Sequence, residues 1–83
     1  MERRIPVGKK YVDVLAEFTK EGLLIPRQIN WEDGRKFTVE RVLDMRRAAS
    51  RSGGCGMRYT CLICGQRKYL FYEDNRLWFV DAG

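Results

Sequence analysis

Apolar and polar positions alternate along most of the chain. Within residues 11–18, Val12, Val14, Ala16 and Phe18 share one parity, the period of a strand with one buried face. The same residues offer a helical stripe, Tyr11, Val14, Leu15 and Phe18, with Gly22 placed as its C-terminal cap. Two features favour the strand. Val12, Val14 and Thr19 are β-branched, and Lys20-Glu21-Gly22 leads straight into another alternating run. That run places Leu23, Ile25, Ile29 and Trp31 on one parity, with Arg27 as the exception. Its Pro26 has no N–H for a ladder and is expected at a sheet edge or a bulge.

The clearest turn is Glu32-Asp33-Gly34, because Asp-Gly tolerates the positive φ of a tight hairpin. After it, Phe37, Val39 and Leu43 share a parity, with Thr38 and Val42 on the other. Residues 38–49 also fit a helix, since Val39, Val42, Leu43 and Arg46 fall on one helical face. If they form a strand, the shift from Val39 to Val42 calls for a bulge near Glu40-Arg41. Residues 47–56 are rich in small residues and glycine and read as a mobile loop. Three short apolar runs follow, 57–64, 69–72 and 77–80, separated by Gly65-Gln66-Arg67-Lys68 and by Glu73-Asp74-Asn75-Arg76. Such spacing signals hairpins in an all-β domain. In the first run both parities are apolar, so the sheet must curl or be covered on both sides. The expected fold is all-β: about six antiparallel strands in a meander, as a strongly twisted sheet or a small, partly open barrel.

With 83 residues, one domain is expected, 11–83, preceded by a flexible basic arm, 1–10, that holds Arg3, Arg4, Lys9 and Lys10. Sixteen Lys and Arg against eleven Asp and Glu give a net charge of +5, which leans towards anionic partners. No apolar run reaches the ~18 residues that span a bilayer, so a soluble, cytoplasmic protein without membrane contact is expected. Histidine is absent, and no Walker loop, dinucleotide fingerprint or Gly-x-Ser-x-Gly occurs. These absences weigh against an enzyme, and no catalytic residue or cofactor is assigned.

Three groups of residues carry candidate chemistry. Arg46, Arg47, Arg51 and Arg58 concentrate positive charge, with no acidic residue between Asp44 and Glu73, and Arg35 and Lys36 add to it. Guanidinium forks match phosphate oxygens, and Trp31, Tyr59 and Tyr72 are the aromatics expected to stack on unpaired bases. Ordinary solvation accounts for the same arginines. Cys61-Leu-Ile-Cys64-Gly65 has the spacing of a zinc knuckle. However, residues three apart on a flat strand face opposite ways, and no fourth nitrogen or sulfur ligand exists, so no metal is assigned. Cys55, among glycines and arginines, is the candidate reactive thiol. The carboxylates Glu32, Asp33, Glu73 and Asp74 are explained by their turns.

The series Phe18, Gly22, Pro26, Trp31, Gly34-Arg35-Lys36-Phe37, Val39 and Val42-Leu43-Asp44 resembles a group of small uncharacterised bacterial all-β domains. In that group a Trp followed by Gly-Arg-aromatic precedes Val-Leu-Asp. A glycine-rich stretch, an aromatic hairpin and a closing Trp-Phe-Val-like strand come after, here Ser52-Gly53-Gly54, residues 59–72 and Trp78-Phe79-Val80. The resemblance implies the β meander and assigns no activity. The expected function is a non-enzymatic binding module that contacts DNA or RNA phosphates through the Arg-rich loop. Its rival is a protein-interaction module or homodimer that uses an open strand edge or an aromatic patch.

Overall fold

The computed structural model describes residues 8–50 and 55–82. Eight strands run in chain order: β1 Gly8–Tyr11, β2 Asp13–Phe18, β3 Leu24–Asn30, β4 Lys36–Thr38, β5 Arg41–Ala49, β6 Cys55–Ile63, β7 Gln66–Glu73 and β8 Trp78–Ala82. They form an antiparallel five-stranded sheet, β1-β8-β7-β6-β5, and an antiparallel three-stranded sheet, β2-β3-β4. The all-β expectation holds: the described residues form eight strands in place of about six, in two open sheets and, among those residues, no closed barrel. The helical alternative for 38–49 falls, since that stretch is mostly β5. No helix long and apolar enough to cross a membrane exists among the described residues.

Two corners join the sheets. The Val12 amide donates to the Trp78 carbonyl (3.1 Å), and directly after it the chain leaves β1 for β2 in the other sheet. At the second corner, the Val39 amide donates to Arg27 (2.9 Å) and the Glu40 amide to Leu62 (2.8 Å), so adjacent residues bond to different sheets. The single run expected after the turn is therefore two strands bent across a corner, a known way of linking packed sheets. The bulge falls at Leu43, between Val42 opposite Cys61 and Asp44 opposite Thr60. Pro26 sits beside a bulge as expected: Leu15 faces Gln28 and Ala16 faces Pro26, which leaves Arg27 over. The Glu32-Asp33-Gly34 turn also forms. The Trp31 amide donates to Arg35 (2.8 Å), and the Arg35 amide donates to Asp33 Oδ1 (3.0 Å).

Of the basic arm expected over 1–10, residues 1–7 lie outside the described residues, while Gly8–Tyr11 is β1, paired with β8. Of the loop expected over 47–56, residues 47–49 belong to β5 and 55–56 to β6, while residues 51–54 lie outside the described residues. The β6–β7 turn is Cys64-Gly65, with φ of 51° and 73°, the two-residue connection whose twist suits a hairpin. Cys64 is thus a turn residue, and β6 needs no second apolar face. Met57, Tyr59, Cys61 and Ile63 point towards the three-stranded sheet, where Tyr59, Cys61, Ile63 and Leu70 meet Ile29 and Val39 in the core. Cys61 and Leu70 have no exposed surface.

On the outward face, Phe71 and Phe79 stack at 4.9 Å, and the Tyr11 ring stands edge-on to Phe79 at 5.9 Å. Beside them Glu73, 8% exposed, accepts hydrogen bonds from Lys9 Nζ and from the Tyr11 hydroxyl (2.9 Å). The bonds from Lys9 and then Tyr11 hold the Glu73 carboxyl below its usual value despite burial, while Lys9 and Tyr11 are raised by the same contacts. A lowered carboxyl stabilises the fold above its unfolded value of about 4.3. That stabilisation is lost as pH falls through the folded value. The Lys9 and Tyr11 contributions are complete below about 10 and lost as pH rises beyond it. Glu73→Gln should therefore melt below the parent at pH 7, with the gap closing at pH 3 in thermal melts. An equal gap at both pH values would contradict this account.

Candidate functional site

The β5–β6–β7 register decides which cationic side chains meet. Arg41 lies opposite Leu62, and Leu62 opposite Arg67. In the next row Asp44, Thr60 and Tyr69 line up, and in the row after that Arg46, Arg58 and Phe71. Paired residues of an antiparallel ladder share a face, and this face is the one turned away from the three-stranded sheet. Arg41, Arg46, Arg58 and Arg67 therefore surround Tyr69, which is 52% exposed, and Asp44 is the one carboxylate in the three rows.

Directly opposed like charges such as Arg46 and Arg58 disfavour strand pairing. Two contacts offset that cost. Arg46 Nε donates to Asp44 Oδ2 at 2.9 Å, and the Arg58 guanidinium carbon sits 4.5 Å from the Tyr69 ring centroid. Arg58 Nε is buried without a hydrogen-bond partner, an arrangement that leaves unspent donor capacity beside the tyrosine. Exposed ion pairs such as Arg46–Asp44 contribute little to stability and exchange readily for another anion.

The remaining expected site residues are elsewhere. Arg47 is opposite Met57, on the face towards the core, and its guanidinium meets Asp74 at 3.0 Å, which holds that carboxyl below its ordinary value. Neighbours on a strand point opposite ways, so Arg46 and Arg47 cannot act as a pair. Arg51 lies outside the described residues. Tyr59 is corrected outright: it is 2% exposed, its hydroxyl donates to the Leu24 carbonyl (2.6 Å), and burial raises it above its ordinary value. It ties the sheets together and cannot stack on a base. Tyr72 is half-buried against Trp78 at 4.7 Å.

Arg35, Lys36 and Trp31 belong to the β3–β4 hairpin in the other sheet. Arg35 Nε donates to Asp33 at 2.7 Å, and Trp31 packs edge-on against Phe37 at 6.3 Å with Lys10 Nζ 5.5 Å from its ring. Lys36 is exposed opposite Asn30 and does not join the arginine face. Trp31, Arg35 and Phe37 line a half-open cleft of about 660 Å³ between the sheets, together with Arg67, Lys68 and Tyr69. The cleft and the arginine face thus meet at Arg67 and Tyr69.

The cysteines do not converge. Cys61 is enclosed in the core, where burial pushes its thiol up to about 11, while Cys55 and Cys64 are exposed. Among the described residues no group of three or more Cys, Asp and Glu is placed to hold a metal ion. Arg41, Arg67 and Tyr69 escaped the reading of the sequence. The Cys64-Gly65 turn was the signal that would have found Arg67 and Tyr69, because it fixes which β7 residues stand opposite Leu62 and Thr60. Arg41 is placed by the β5–β6 register, which no turn among the described residues signals. No protein-family model matches the chain, and neither a curated protein nor a solved structure matches it.

Proposed function

We propose that the protein is a non-enzymatic binding module that holds single-stranded nucleic acid on the outward face of β5, β6 and β7. Arg41, Arg46, Arg58 and Arg67 contact phosphates, and Tyr69 stacks on an unpaired base. One observation carries the reading: four guanidinium groups surround an exposed tyrosine, with a single carboxylate among them. Phosphate contacts fix position without reading sequence, and an aromatic face accepts any base. Sequence preference is therefore expected to be weak. Duplex bases are stacked inside the helix and give Tyr69 nothing to stack on.

Fluorescence anisotropy with labelled oligothymidylate tests this. Affinity should fall steeply between about 50 and 200 mM salt. Arg46→Ala with Arg58→Ala should flatten the logarithmic salt slope by about 0.7 for each phosphate contact removed. Tyr69→Ala should weaken binding by about tenfold with the slope retained. An absence of binding at low salt, or an unchanged slope in the double variant, would end the reading.

A further inference from the structure

The β6–β7 ladder runs the full length of β7, from Gln66 opposite Ile63 to Glu73 opposite Gly56. On its other side β7 pairs at two positions, Phe71 opposite Phe79 and Tyr72 opposite Trp78. β8 then departs and continues to Ala82 against β1. Residues 66–70 therefore have a strand along one edge and, among the described residues, none along the other. The N–H and C=O groups of alternate residues face that opening.

This edge is one wall of the cleft. Trp31 and Phe37 line the opposite wall, and Val80 adds apolar surface. Arg35, Arg67 and Lys68 border it against one carboxylate, Asp81. Arg67 and Lys68 form no ion pair among the described residues. An edge without proline or bulge is a template for another strand, and its charges decide which one. A second copy of this edge would set Arg67 and Lys68 against their own kind, whereas an acidic segment complements them.

We propose that residues 66–70 take an extended acidic peptide segment of another protein by strand addition. Main-chain bonds to β7 supply the pairing. Acidic side chains meet Arg35, Arg67 and Lys68, and apolar ones settle on Trp31, Phe37 and Val80. The nucleic-acid reading uses the face of the sheet and this one the edge of β7. They share Arg67, whereas Lys68, Arg35 and the main chain of β7 belong to the edge alone.

The test uses the full chain and a peptide of about eight residues that alternates valine and glutamate. Nuclear magnetic resonance would follow amide exchange. The peptide should slow exchange within 66–70, and its counterpart with lysine for glutamate should not. N-methylation of alternate peptide nitrogens, on the edge facing β7, should weaken binding by about tenfold. Lys68→Glu should weaken the glutamate peptide and strengthen the lysine one. Three results would overturn the proposal: no protection of 66–70, affinity indifferent to N-methylation, or protection by oligothymidylate and not by the peptide.

Discussion

Leu70→Ala is expected to lower the free energy of unfolding by about 2–5 kcal/mol, the usual cost of removing a fully enclosed leucine side chain. Leu70 has no exposed surface and lies opposite Tyr59, where the five-stranded sheet meets Ile29 and Val39. The space it vacates has little means of collapsing. Tyr59 is anchored by its hydroxyl to the Leu24 carbonyl at 2.6 Å, and Cys61 is itself enclosed. A chain of this length has a total stability of roughly 4–12 kcal/mol, so the loss is a large share. Each kcal/mol corresponds to about 4–8 °C in melting temperature at this size. Leu77→Ala, at a site 48% exposed, is the control and should change stability by no more than about 0.5 kcal/mol. If the Leu70 variant melted with the control, the inter-sheet core would not be where it is described.

Gly56→Ala is the second large effect. The alanine methyl would lie 2.2 Å from the Tyr72 carbonyl oxygen and 2.9 Å from the Glu73 Cα. Both are backbone atoms of a paired strand, so the obstacle cannot swing aside as a flexible side chain would. Forcing a methyl into such a site costs about 1–3 kcal/mol. The displacement also reaches Glu73 and its bonds to Lys9 and Tyr11. Urea titration measures the loss directly. In a mobile loop the same substitution would be neutral or mildly stabilising, so a melt at or above the parent value would return Gly56 to the loop read from the sequence.

Strand character was legible because it is local. The alternation around Val12 and Val14, the Asp-Gly turn and the three closing apolar runs all appear as strands or turns. The corners at Val12 and at Val39-Glu40 were not legible. A strand that changes sheets keeps its alternation, and only its hydrogen-bond partners differ. The site was legible in part. Arg46 and Arg58 stand together, but Arg47 does not, because one step along a strand reverses the face. Tyr59 was misplaced for a related reason. Its one-residue offset from Arg58 sends it into the core, and nothing within β6 alone says which parity faces inward. Tyr69 required the register across Cys64-Gly65, a property of two strands together.

The pairing of β1 with β8, Lys9 opposite Asp81 and Tyr11 opposite Phe79, joins segments from opposite ends of the described chain. Entropy opposes closing so long a span until the strands between are in place. Ordering should begin in the β5–β6–β7 meander, whose partners are sequence neighbours, and finish when β1 docks. The Lys9–Tyr11–Glu73 cluster forms only at that final step, so its loss should quicken unfolding more than it slows refolding.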